Sequence, residues 1–281
     1  KGKRFDLIQV DNRPGYAARV KKQCPNTPVI LFLHSLTFVP KTPAVARSLR
    51  KPDLIIANSL SVKRHMARRF PSQAGKLRNV YLGVDAARFA PSIRRNKRRA
   101  FTILFAGRII PRKGVPILMK ATRIVRKKVK HAKFVIVGKA KKPSYLMKLK
   151  QLRRRLQIPV EFLGKVPHRS IHKIYRKADC FVCPSQRHEA FGLVNVEAMA
   201  SGVPVIASSI GGIREIISHG YNGFLVKDYK NPASFAKYIK MIATKPKLSR
   251  KISANSRKTV LGKFQWHVTA ARLEKLYGAF C

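Results

Sequence analysis

What most constrains this chain is its rhythm. Short apolar, β-rich runs bounded by Gly or Pro alternate with longer amphipathic segments almost throughout. "FDLIQV" (Phe5 to Val10), "PVILFLH" (Pro28 to His34) and "DLIIANS" (Asp53 to Ser59) read as buried strands. Helices are expected over 13–23, 42–50 and 60–69, and "NVYLGVDAARFAP" (Asn79 to Pro91) reads as a short strand and a turn. An Arg/Lys-rich piece over 92–100 has no apolar periodicity and reads as a linker. The rhythm then restarts: "FTILFAG" (Phe101 to Gly107), "KFVIVG" (Lys133 to Gly138), "VEFLG" (Val160 to Gly164), "DCFVCPS" (Asp179 to Ser185), "PVIAS" (Pro204 to Ser208) and "NGFLV" (Asn222 to Val226), with helices between. Runs that are apolar without alternation are covered on both faces, and their alternation with helices implies a parallel sheet. The expectation is an α/β protein of two Rossmann-like, doubly wound domains: a shorter one over 1–91, a complete one over 101–263, and a closing helix over 264–281.

Charge narrows the partners. Lys and Arg number 61 and Asp and Glu 11, a net +50. Such a surface attracts polyanions: nucleic acid, anionic lipid, phosphorylated substrates. The densest clusters, "IRRNKRR" (Ile93 to Arg99), "RIVRKKVKHAK" (Arg123 to Lys133) and "KAKKPSYLMKLKQLRRR" (Lys139 to Arg155), fall on the linker and on the wet faces of expected helices. Nonspecific anion affinity follows from that solvation. The four cysteines are too few for a disulfide scaffold, and "CFVC" (Cys180 to Cys183) reads as two buried strand thiols rather than a metal or redox pair. There is no membrane-length apolar run and no secretory pattern, so the expected location is cytoplasmic, with peripheral contact to an anionic membrane face allowed by the charge.

In doubly wound sheets, ligands bind beyond the carboxyl ends of the strands. One such end carries "AGRIIPRKG" (Ala106 to Gly114), which sets Arg108 just past a strand and Lys113 where the next helix begins. Two cations and a helix N-terminus suit a diphosphate. Another carries "EAFGLVNVEAMASGVPVIAS" (Glu189 to Ser208), with Gly192 permitting close backbone approach, a helix from about Leu193, Glu189 in the loop and Glu197 on the helix. Carboxylates accept paired sugar hydroxyls. The bland alternative is that Glu189 caps the helix electrostatically and Glu197 is solvated. Together the two strand ends fit a nucleotide-sugar.

"GRIIPRKG", "PSQRHEAFGLVNVEAMASGVPVIAS" and "GGIREII…GYNGFLV" resemble the donor-binding signature of retaining glycosyltransferases with the GT-B fold, specifically the large family four, whose E-x7-E motif matches Glu189 and Glu197. "GVDAARFAP" (Gly83 to Pro91) resembles the segment ending that family's first domain, and "QWHVTAARLEKLY" (Gln265 to Tyr277) its closing helix, which crosses back onto the first domain. "VDNRP" (Val10 to Pro14) is similar to the spore-coat-associated subgroup. The resemblance implies two domains facing a cleft. It implies that Arg108 and Lys113 bind the donor diphosphate and stabilise the departing charge. Glu197 would hold the ribose hydroxyls, Glu189 would contact the transferred sugar, and the amides of Phe191, Gly192 and Leu193 would touch sugar and phosphate. His34 would face acceptor and donor sugar. The acceptor would be a glycan, lipid or protein, and no cofactor or divalent metal is implied. The family usually begins with an extra strand and a glycine-rich loop. This chain opens at "KGKRFDLIQV", so an incomplete first domain is expected.

Two other readings stand beside the enzyme. One is a basic polyanion-binding or coat-structural protein retaining a vestigial donor pocket. The other is a nucleotide-dependent epimerase or phosphorylase on the same fold, which the Glu-x7-Glu spacing disfavours. Elsewhere, Glu215 is expected to start a helix, Asn58 and Ser59 to end a strand and cap the next helix, and Trp266, the only tryptophan, to anchor the last helix by packing.

Overall fold

The computed structural model describes residues 5–91 and 100–280; the basic stretch 92–99, read above as a linker, lies outside them. The chain divides into two compact units. The first gathers residues up to Gly83, the short segment Glu189–Phe191, and the chain from Trp266 onward. The second comprises Val84–His188 and Gly192–Gln265.

The first unit is a four-stranded parallel sheet in the order β1-β2-β3-β4: β1 (Ile8–Asp11), β2 (Val29–Leu33), β3 (Leu54–Ala57) and β4 (Leu77–Asn79). Strands β2 and β3 are buried at every residue, as their unbroken apolar runs require. Helices α1 (Pro14–Gln23), α2 (Pro43–Arg50) and α3 (Leu60–Arg69) cover one face. There Ala17, Leu49, Val62 and Met66 pack on Val29, Leu31, Leu33, Ile55 and Ala57. Ser59 caps α3 by accepting from the Val62 amide at 3.0 Å, as the sequence implies. The other face presents Ile30, Phe32, Leu54, Ile56 and Val80 to Leu273, Leu276, Tyr277 and Phe280. These belong to the end of the chain, where α11 spans Trp266–Tyr277. The Thr269 hydroxyl donates to the Tyr81 carbonyl at 2.9 Å, and the Tyr277 hydroxyl to the Gln9 side chain. The last helix therefore supplies the layer that a parallel sheet needs on its second side.

The second unit holds a six-stranded parallel sheet in the order β10-β9-β8-β5-β6-β7. Its strands are β5 (Thr102–Ala106), β6 (Lys133–Val137), β7 (Val160–Gly164), β8 (Cys180–Cys183), β9 (Val205–Ser208) and β10 (Phe224–Val226). Helices α4 (Val115–Arg126), α5 (Pro143–Leu156), α6 (His168–Tyr175), α7 (Leu193–Ala200), the single turn α8 (Ile213–Ile216), α9 (Pro232–Thr244) and α10 (Pro246–Lys263) connect and cover them. The sequence runs outward through β5, β6 and β7, then restarts beside β5 with β8. The β5–β8 junction is thus the topological switch point, where open α/β sheets form their ligand crevice.

Three expectations need correction. The short strand sought within 79–91 lies earlier, at Leu77–Asn79; beyond it the chain forms only a bridge between Val84 and Gln265. Residues 84–91, assigned above to the first domain, pack in the second unit. There Arg176 donates to the carbonyls of Arg88 and Ala90, and Arg257 to those of Ala86 and Phe89. Trp266 is not a packing anchor: it is 56% exposed, and Leu273, Leu276 and Tyr277 do the anchoring. The two thiols of β8 are buried, and burial pushes that of Cys180 well above its usual range.

Candidate active site

The two strand ends singled out in the sequence meet at the switch point. After β5 the chain passes Gly107 (φ 148°), Arg108 and a 3-10 turn over Pro111–Lys113 before α4 begins. After β8 it passes Pro184, Ser185 and Gln186. The Gln186 amide donates to the Arg112 carbonyl at 2.8 Å, tying one loop to the other. Gly114 has φ 72°, and a Cβ there would lie 1.9 Å from the Pro184 carbonyl oxygen. Only glycine fits. Gly138, at the end of β6, is as tight: a Cβ would meet the Gly107 carbonyl oxygen at 1.8 Å. The Gln186 side-chain amide also donates to the Tyr229 carbonyl at 2.8 Å, linking the loop after β10. Arg108 is exposed and Lys113 half-buried on this rim.

Gly192, at φ 95° and ψ 48°, turns the chain into α7. Its carbonyl accepts from both the backbone and side-chain nitrogens of Asn195, at 2.8 and 3.0 Å. The first amides of a helix have no partner within it, so the start of α7, at Leu193, can receive an anion. Asn195 Oδ1 and Ser208 Oγ, the latter at the end of β9, are buried without a hydrogen-bond partner in the protein.

Glu197 is not solvated. It is 4% exposed, the one carboxylate among the described residues that is buried. The Tyr175 hydroxyl donates to Oε2 at 2.8 Å, and His168 Nε2 lies 3.2 Å from Oε1. Burial pushes its carboxyl above the usual range, and the hydrogen bonds from Tyr175 and His168 pull it partly back. Burial, then the adjacent carboxylate, push Tyr175 well up, so it stays a donor. Neither partner was singled out in the sequence. Their signal was the spacing of seven on one short helix, two turns that put both side chains on one face.

The remaining predicted residues lie in the first unit. At the carboxyl end of its sheet, Asn12 (φ 60°) accepts through Oδ1 from the amides of His34 at 2.8 Å and Ser35 at 3.1 Å. The Asn58 side-chain amide donates to the His34 carbonyl at 3.1 Å, and Asp11 Oδ1 lies 3.2 Å from His34 Nε2. His34 is thus held by three strands at once. The Asn58 Oδ1 acceptor is buried without a partner. Glu189 and Phe191 also group here. The Ser59 hydroxyl donates to the Ala190 carbonyl at 2.5 Å, and the buried Phe191 ring stacks on Tyr81 at 5.8 Å. Phe191 is therefore occupied by packing through its side chain. The structure gathers Arg108, Lys113, Gly192, Leu193 and Glu197 in the second unit, and His34, Glu189 and Phe191 in the first. No group of three or more His, Cys, Asp or Glu residues able to hold a metal occurs among the described residues.

Known proteins share this chain's family and fold. The family signature of Glycosyl transferases group 1 matches residues 88–259, and that of Glycosyltransferase Family 4 matches residues 1–88. YtcC of Bacillus subtilis (strain 168) is 32% identical over 97% of this chain and 72% of its own length. Spore coat protein SA of the same organism is 29% identical over 99% of this chain and 79% of its own. The structure of Anabaena HepE in complex with UDP superposes with a TM-score of 0.86 at 23% identity, over 98% of this chain and 79% of that one. Sucrose-phosphate synthase from Thermosynechococcus elongatus gives 0.83 at 25% identity, over 98% and 73%. These are GT-B glycosyltransferase folds built on two parallel α/β sheets, as here. The chain belongs to the glycosyl transferases group 1, with the family-four-like GT-B organisation that its paired glutamates implied.

Proposed function

We propose that this chain moves a sugar from a nucleotide-linked donor, UDP- or GDP-linked, to a glycan, lipid or protein acceptor, with retention of configuration and without a metal. One observation carries the reading. A buried carboxylate, Glu197, sits one turn inside a helix whose first amides are available, in the unit whose switch-point rim holds Arg108 and Lys113. That is a hydroxyl acceptor in the same unit as an anion cradle, the two halves of a nucleoside diphosphate. HepE was solved with UDP and with UDP-glucose, which favours a UDP-linked donor here.

The roles follow. Arg108 and Lys113 neutralise the diphosphate and the charge that develops as it departs, the work a metal performs elsewhere. The amides of Gly192 and Leu193, with that of Phe191, hold phosphate and sugar, and Glu197 takes the ribose hydroxyls. Glu189 contacts the transferred sugar and His34 the reacting region. The phosphate leaves from the face that the acceptor attacks, through an oxocarbenium-like state. No helix among the described residues is long and apolar enough to cross a membrane. We place the enzyme in the cytoplasm, its charge allowing it to rest on an anionic membrane face.

A second reading has its own support. A charge of +50 and likeness to a spore coat protein fit a polyanion-binding or coat protein with a vestigial pocket. Calorimetric titration with UDP, GDP and ADP at moderate salt, repeated with Glu197→Ala, separates the two. Saturable binding of one nucleotide, weakened about tenfold or more by the substitution, is expected. Equal binding of all three, indifferent to the substitution and abolished by salt, would transfer the case to the polyanion reading.

A further inference from the structure

The chain has 61 Lys and Arg, yet both observed hydrogen bonds to the one carboxylate buried among the described residues come from a phenol and an imidazole. This has a chemical logic. A guanidinium fork would compensate the Glu197 charge but take two oxygens at once. A carboxylate offers about four lone-pair positions. Tyr175 and His168 take one each, so others remain for incoming hydroxyls. The two donors are not equivalent. Tyr175 is fully buried among Phe89 and Phe181, with ring centroids at 5.9 and 5.6 Å, and its hydroxyl is shielded from water, with the Val194 carbonyl 3.4 Å away as a second acceptor. The His168 side chain is 68% exposed, so water can replace its hydrogen bond.

Resting on the nucleotide-sugar reading, we propose that Tyr175 is a positioning residue for donor recognition. Its hydroxyl holds Oε2 of Glu197 in place so that the buried carboxylate keeps lone pairs for the ribose hydroxyls, while His168 is an exchangeable second donor. Other ionisable groups stand nearby. His172 lies on α6, with Arg176 just past that helix and Arg88, from the segment before β5, beside it. Arg257 of α10 donates to the carbonyls of Ala86, Phe89 and Ala200. Arg214 and Glu215 lie on α8, and the Cys183 thiol of β8 is beside Tyr175. What sets the carboxylate's charge is burial against the Tyr175 and His168 hydrogen bonds.

The sign is fixed. Affinity for a hydroxyl pair requires ionised Glu197, so it falls as pH drops through that group's raised range. Removing the Tyr175 hydroxyl raises it further and moves the acid limb toward neutral pH. UDP is the probe, titrated into the full chain from pH 5 to 8. The ratio of wild-type to variant affinity cancels the phosphate's own titration. Tyr175→Phe is expected to weaken UDP about tenfold on the acid side and within about twofold at the alkaline end. His168→Ala is expected to do less at every pH. Tyr175→3-fluorotyrosine keeps the volume and strengthens the donor, so it should move the acid limb down; it carries the test if the phenylalanine variant does not fold. A wild-type/variant ratio that is flat with pH for both Tyr175 variants, or a larger effect from His168→Ala, overturns the proposal. Glu197→Gln separates the layers. If it leaves UDP affinity unchanged, the donor reading itself fails. If it weakens UDP while the Tyr175 ratios stay flat, only the positioning role falls.

Discussion

The two sheets end in different materials. In the first unit the carboxyl ends of β1, β2 and β3 are closed by side chains: Asn12 accepts from two successive amides, Asn58 donates to the His34 carbonyl, and Asp11 stands beside the imidazole. In the second unit the corresponding ends are lined by backbone. Gly107, Gly114, Gly138 and Gly192 all have positive φ, and two of them touch a carbonyl where no Cβ could stand. Side-chain amides fix one particular polar group, here His34, in one place. Glycine loops leave backbone N–H groups accessible, which suits a ligand with many equivalent anionic oxygens. On the proposed function, the first end would present a residue and the second would receive a phosphate.

The units also differ in self-sufficiency. The second covers both sides of its sheet with its own consecutive helices. The first borrows its second layer from the end of the chain. Truncation after Gln265 would expose Ile30, Phe32, Leu54, Ile56 and Val80. At about 1.5–3 kcal/mol for each large side chain, that loss is comparable to a typical domain's whole stability margin. The expected outcome is a first unit cut rapidly by protease beside a resistant core spanning about Val84 to Gln265. Equal resistance of both units would remove the contrast.

Gly114→Ala should produce the next largest effect, in the second unit. A left-handed residue with a Cβ costs about 1–2 kcal/mol before the clash with Pro184 is counted, so a fall in Tm of roughly 10 °C is expected by calorimetry. Asn12→Ala is the matching change in the first unit. Leaving the His34 and Ser35 amides without their acceptor should cost about 1–3 kcal/mol in urea unfolding. It should also lower turnover more than UDP affinity, because it loosens His34 and not the phosphate loops. A fall in UDP affinity equal to the fall in turnover would break that division of labour. Trp266→Ala should matter least: an exposed side chain is expected to shift stability by no more than about 0.5 kcal/mol.

Much was legible beforehand because it is written locally. Buried parallel strands must be continuously apolar, and nine of the ten strands among the described residues sit within the runs read from sequence or at their ends. The missed one, β4, is three residues long with only Leu77 buried, too short for any periodicity to register. Arg108, Lys113, Gly192 and Glu197 could be singled out as candidates because they lie in contiguous strand–loop–helix junctions around β5 and β8. Tyr175 and His168 were not. The spacing of seven in "PHRSIHKIY" puts both side chains on one helix face, but it does not distinguish a tyrosine that packs from one that donates to a carboxylate 22 positions away.

The sequence by itself determined the fold class, the strands and the glycine-marked loops, because periodicity and backbone freedom are properties of neighbouring residues. Only the tertiary structure decided that Glu197 is buried and doubly hydrogen-bonded, that Trp266 is exposed, and that the last helix completes the first sheet. Burial and pairing depend on what arrives from elsewhere in the chain. That is settled by which apolar faces remain uncovered once the local elements have formed.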